Sequence, residues 1–283
     1  MADRQDKMLG MVLGAVAVAI VVGLLLAAGI LRLGGEGVEP YETGETSTPI
    51  VRPPPVPALP VSIPPLGRAD LLEAFARAAD AASAGSQAPA ENAALVGRDF
   101  AVRLPFGCGG PMQEGDEESW AGWAYNAKTG ALKLTARPEH WDEEPWIRAL
   151  AGDLAFDAAE GFWIKRPWSS VETCPAVATD GTAGPPAVET AALVQFFAPD
   201  SPRTLRRGGR PYAYTVKARE PIGEGPRDYG LMVSGRVASF ADGQPVHCRV
   251  ENVDRPPVCL MAVTFERVAF NDVDGKMLTE WRR

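Results

Sequence analysis

The sequence predicts a mainly β domain, a sandwich or barrel-like fold, mounted behind one N-terminal transmembrane helix, a Pro-rich linker and one short amphipathic helix. Three observations predict it. Residues Met8 to Leu31 form one uncharged apolar run, and eight prolines fall within residues 49–65. From Leu95 onward, short alternating or β-branched runs recur between Gly- and Pro-containing turns.

The apolar run holds 24 residues, and about 20 helical residues at roughly 1.5 Å each cross the hydrocarbon core. It is longer than the 7–15 or so residues of a cleaved signal's apolar region. Leu24 to Arg32 also offers no small-x-small cleavage pattern followed by a polar start. An uncleaved anchor is predicted over residues 9–32, with residues 1–8 as a short cytoplasmic N-terminus, because Arg4 and Lys7 precede the span. Ala15, Ala19, Gly23 and Ala27 recur every fourth position, a spacing that predicts a helix–helix contact in the membrane.

Residues 33–68 read as a linker. Gly, Glu and Thr dominate 33–48, and the prolines that follow exclude helix and central strand. Seventeen such residues make a polyproline II spacer of about 50 Å at roughly 3.1 Å each. A ligand for aromatic grooves is the alternative use of that stretch. Residues 69–94 are a short helix and loop. Leu71, Leu72, Phe75 and Ala79 supply an apolar face over 71–84, Asp70 with Glu73 suits a capping box, and Gly85 suits a stop.

Residues 95–283 form the predicted β domain. Phe100, Val102 and Leu104 alternate, as do Leu132 and Leu134 after the turn at 126–130. Further strands are predicted at 161–166, 191–197, 211–218, 229–240, 245–251, 258–270 and 276–281. Ala241-Asp242-Gly243-Gln244 predicts a hairpin between 229–240 and 245–251, and Asp274-Gly275 a second between the last two strands. A Gly/Pro-rich seam at 178–187 divides the region into two halves. About 190 residues bury roughly 70% of the unfolded surface, enough for a proper core.

The four cysteines are Cys108, Cys174, Cys248 and Cys259, and the two histidines are His140 and His247. No Cys-x-x-Cys occurs, so neither a structural metal site nor a cofactor is predicted. Cys248 and Cys259 lie in adjacent predicted strands, which suggests that pair and leaves Cys108 with Cys174. Four cysteines permit three pairings, and sequence does not choose among them. Behind a membrane anchor, disulfides place the domain in an oxidising compartment, taken as the periplasm with the anchor in the inner membrane.

A net charge of −8 excludes nucleic acid as a partner class, since phosphate backbones require a basic field. One segment departs from it: Arg203, Arg206, Arg207 and Arg210 put four arginines in eight residues. Guanidinium forks take phosphate or carboxylate in bidentate fashion, so this loop between the strands 191–197 and 211–218 is a candidate anion site. Its plain alternative is a solvated hairpin loop. Six of the seven tryptophans fall between Trp120 and Trp168. Most are expected in the core; Trp120, Trp123, Trp141 and Trp146 are the candidates for a surface subset that holds sugar rings.

Glu117, Glu118, Asp142, Glu143 and Glu144 lie beside those rings, and paired carboxylates can hydrolyse glycosides. An envelope glycan-acting enzyme using residues 114–168 is therefore the alternative function. Nucleophile chemistry has less support, because His247 and Cys248 are strand neighbours that point to opposite faces. No catalytic residue is assigned. The layout of short N-terminus, single span, Pro-rich rod and exported domain is similar to energy-transducing or secretion-system envelope subunits, in architecture only. The expected function is non-enzymatic binding of another envelope protein or a cell-wall polymer.

Overall fold

The computed structural model describes residues 63–113, 119–176 and 189–283. The predicted anchor at 9–32, most of the linker and the pair Glu117 and Glu118 lie outside these residues. In chain order the elements are α1 (Arg68–Ser83), α2 (Ala90–Ala93), β1 (Asp99–Phe106), β2 (Ala121–Asn126), β3 (Ala131–Ala136), β4 (Glu139–His140), α3 (Pro145–Ala151), β5 (Ala158–Trp163), β6 (Ala191–Phe197), β7 (Tyr212–Lys217), β8 (Tyr229–Val237), β9 (Val246–Arg249), β10 (Val258–Asn271) and β11 (Met277–Arg282). The described chain is mainly β, with two sheets and few helices, an arrangement consistent with a β sandwich.

The larger sheet runs β1-β8-β10-β6-β5-β4, with β9 and β11 also paired to β10; the smaller runs β2-β3-β7. Strand β10 organises the larger sheet because it is long enough to change partners. Its first half pairs with β9 and, in parallel, with β6. From Val263 onward, across a bulge between Phe265 and Arg267, it pairs with β8, and from Arg267 it also pairs with β11. The turn expected at 241–244 is present, with Phe240 N donating to Gln244 O. It does not make a hairpin. β8 and β9 both pair with β10, and Ala262 receives at its carbonyl from Ala238 while donating to Pro245. The Asp274-Gly275 turn does join two paired strands, β10 and β11.

Alternation of side chains along β5, β6 and β10 fills two different cores. Ala158, Phe162, Leu193, Met261 and Val263 belong to the main core, which also takes Trp123, Leu132, Leu134 and Ala136 from the smaller sheet. The opposite parity, Ala159, Ala192, Val194, Leu260 and Ala262, packs with Trp141 and with Ile147 of α3. Helix α1 adds Leu71, Ala74, Phe75 and Ala78 to the main core. Its N-cap is Gly67, whose N–H donates to Asp70 Oδ2 at 2.8 Å, so Asp70 closes the first turn instead of starting it. Strands on either side of 178–187 pair in both sheets, β5 with β6 and β3 with β7.

The outer edge of β1 is covered. Leu66, at the end of the linker, is buried and bridges Phe100, donating to Asp99 O and accepting from Ala101 N. Arg103 N is taken by Glu172 Oε1, and residue 105 is proline. An edge so blocked cannot recruit a foreign strand.

Two disulfides, Cys108–Cys174 and Cys248–Cys259, account for all four cysteines. Cys248 and Cys259 are directly opposite one another on β9 and β10. The loops they close span 66 and 11 residues, which on the chain-entropy account stabilises by about 4 and about 3 kcal/mol respectively.

Candidate functional site

Glu160 is the residue from which the site is built. Its position in β5 has the parity of Ala158 and Phe162, so its side chain faces the main core, where it is 1% exposed. A carboxylate there costs several kcal/mol unless hydrogen bonded. Its cross-strand neighbours are His140 on β4 and Gln195 on β6, so the inner face of the sheet carries a short polar row. The partners that satisfy Glu160 come from the arginine segment. Arg207 N donates to Oε2 at 2.7 Å and Gly208 N to Oε1 at 2.8 Å. Gly209 N donates to His140 Nε2 at 2.6 Å. That bond assigns the neutral imidazole with its proton on Nδ1, 3.9 Å from Glu160 Oε1.

Three consecutive amides therefore point inward at one anionic and one neutral acceptor, a backbone nest already filled by the protein's own carboxylate. Gly208 and Gly209 have φ of 58° and 81°, a left-handed path that glycine follows at least cost. The adjoining Gly161 is required by contact. A Cβ built there lies 1.8 Å from Leu193 O, so β5 runs too close to β6 for any side chain at that point.

The loop is not the hairpin predicted from sequence. β6 lies in the larger sheet and β7 in the smaller, so residues 198–211 cross between sheets and are pinned to both. Arg137, just beyond β3, donates to Gly209 O at 2.6 Å. Tyr212 opens β7 and donates its hydroxyl to Leu205 O at 2.6 Å. Burial, opposed by the Arg207 charge, pushes the Tyr212 pKa well above the usual phenol range.

With the backbone facing inward, the side chains face outward. Arg203, Arg206, Arg207, Gly208 and Arg210 line an open concavity of about 310 Å³. Arg206 pairs with Asp157 at 3.1 Å. Arg207 lies over the Tyr212 ring at 4.8 Å and donates to Pro211 O, while its Nε is buried without a partner. Arg210 Nε donates to Arg207 O. Arg203 has no hydrogen bond or ion pair among the described residues. Among the described residues only one of these four guanidiniums thus has a carboxylate partner, on a chain whose net charge is −8.

The tryptophan candidates are placed differently. Trp123 is 1% exposed and Trp141 is buried in the second core; neither ring presents a face to a ligand. Trp120 is half-buried against Phe106 with Lys165 over its ring, and Trp146 is half-buried under Arg249. Trp168, not among the candidates, is the exposed ring, at 70%. Among the acidic candidates that are described, Asp142 Oδ1 accepts from Ala159 N at 2.6 Å, a structural bond that fixes the β5 edge. His247 pairs with Asp242 at 3.0 Å, and neither has a hydrogen bond to a Ser, Thr or Cys. Among the described residues no three His, Cys, Asp or Glu side chains group as metal ligands.

The arginine cluster is visible in the sequence; its support by Glu160 and His140 is not. The signal for Glu160 was a charge at a core-parity position inside Ala-Ala-Glu-Gly-Phe-Trp. No family model, curated protein or solved structure matches this chain.

Proposed function

We propose that this chain is a single-pass anchored binding module of the cell envelope. On this reading residues 9–32 hold it in the inner membrane and its disulfide-bonded sandwich domain stands in the periplasm. It acts by docking, not by turnover. The observation that carries the reading is the arginine concavity, in which Arg203 and Arg210 are exposed and Arg206 and Arg207 half-buried on a backbone fixed from beneath by Glu160 and His140. Cationic side chains carried on a fixed backbone, with donors left over, offer an anionic partner charge-assisted bonds. The two disulfides and the apolar run support the compartment. The partner class is an envelope protein or a cell-wall polymer that presents acidic groups.

The test places a photo-crosslinking residue at Thr204, exposed among the arginines, with Val273 on the β10–β11 turn as the control site. The reading expects adducts from position 204 in intact cells, absent from 273, and lost when Arg203 and Arg210 become Gln. Equal yields at the two positions, or yields unchanged by the arginine variants, would contradict it.

A further inference from the structure

We infer that the concavity at Arg203, Arg206, Arg207 and Arg210 is a phosphoryl-group site, accepting a phosphomonoester or phosphodiester in preference to a carboxylate; this rests on the docking reading above. The supply of unused donors favours a phosphoryl group. Each guanidinium carries five N–H donors. Arg203 uses none among the described residues. Arg206 gives one to Asp157, Arg207 one to Pro211 O and Arg210 one to Arg207 O. A carboxylate has two oxygens in a plane and is filled by a single fork. A phosphoryl group turns three or four oxygens outward and accepts from several forks at once.

Charge favours the monoester further. Among the described residues only Arg206 of the four has a carboxylate ion pair, and a phosphomonoester brings about −1.5 to −2 at neutral pH, more than the single charge of a carboxylate or a phosphodiester. Shape adds a third point. The backbone amides of Arg207, Gly208 and Gly209 are taken by Glu160 and His140, so the site recognises through side chains, unlike a phosphate loop. Arg207 is held flat over Tyr212 with its buried Nε still lacking an acceptor, which fixes the plane of one fork in advance. The wall at Gly208 is open, since a Cβ there meets nothing within 4 Å. A concavity of about 310 Å³ holds a phosphate together with part of what is esterified to it.

The experiment uses the full chain in a neutral detergent, titrated by calorimetry with inorganic phosphate, glycerophosphoglycerol and acetate. Saturable binding of at least one phosphate compound is expected, with acetate at least tenfold weaker. Arg203→Gln with Arg210→Gln should weaken the phosphate affinity at least tenfold while leaving the thermal midpoint within a degree or two. A preference for glycerophosphoglycerol points to a lipid headgroup or phosphodiester polymer as the source, and a preference for inorganic phosphate to a soluble phosphate. Acetate binding as tightly as both phosphate compounds, or phosphate binding indifferent to the arginine variants, overturns the assignment. If phosphate fails but the Thr204 adducts still depend on Arg203 and Arg210, the phosphoryl assignment falls and the docking reading stands. If the adducts fail as well, both fall.

Discussion

Glu160→Gln tests how the arginine loop is held. The substitution preserves shape but replaces one acceptor oxygen with an NH2 group. Glu160 accepts from Arg207 N and Gly208 N with different oxygens, so whichever way the amide turns, one of those N–H groups faces a donor. A hydrogen bond to a charged group contributes about 1.5–3 kcal/mol, and a buried donor left unpaired costs about 1–3 kcal/mol. These overlap, and the expected loss is about 3 kcal/mol. For a domain of this size that lowers the thermal midpoint by about 6–12 °C. Urea unfolding of the full chain reads the free energy, and amide hydrogen exchange reads the loop directly. Exchange at 207–209 should accelerate more than exchange in β10. Glu139→Gln, at an exposed neighbouring position, should fall within about 0.5 kcal/mol of wild type. A Glu160→Gln protein as stable as the Glu139→Gln control, with unchanged protection at 207 and 208, would mean that Glu160 does not hold the loop.

Other consequences are equally open to measurement. Alkylation mass spectrometry on unreduced chain should find no free thiol; removing Cys108–Cys174 should cost about 4 kcal/mol and Cys248–Cys259 about 3 kcal/mol in denaturant titrations. Arg68, 2% exposed, donates to the carbonyls of Ser169, Lys165 and Arg166, so Arg68→Met should destabilise by about 2–4 kcal/mol. Trp123→Ala should cost about 3–5 kcal/mol, whereas Trp168→Ala, at an exposed ring, should stay within about 0.5 kcal/mol. Burial raises the folded-state pKa of Tyr212, so its contribution is complete below about pH 10, where the unfolded phenol titrates, and declines as pH rises above that. Tyr212→Phe should therefore cost about 1 kcal/mol at neutral pH and flatten the alkaline fall in a pH series of unfolding curves.

The β class was legible because Phe100, Val102 and Leu104 alternate and the long run 258–270 is rich in β-branched and aromatic residues. Cys248 and Cys259 could be suggested as a pair for the same reason. Strand β2 went unread since Ala121, Gly122 and Ala124 have little strand preference of their own, and pairing with β3 overrides it. Helix α3 was obscured by the acidic, Trp-rich composition around Pro145, although proline suits the first turn of a helix. The two hairpin expectations that failed share one cause. The turn at 241–244 and the loop between 191–197 and 211–218 mark a change of direction, but not which strand the returning chain will pair with. That choice belongs to β10 in one case and to β3 in the other. The arginines could be seen as a cluster, yet their use of Glu160 could not, because the contact spans 47 residues and depends on the parity of β5.

Docking through the arginine concavity is measured by recovery of bound material with the full chain from solubilised membranes, as a function of sodium chloride, for wild type and for Arg203→Gln with Arg210→Gln. Docking through the Arg203 and Arg210 side chains predicts recovery that falls steeply with salt in the wild type and is already lost at low salt in the variant. Recovery that is insensitive to salt and equal in the two proteins would contradict the account.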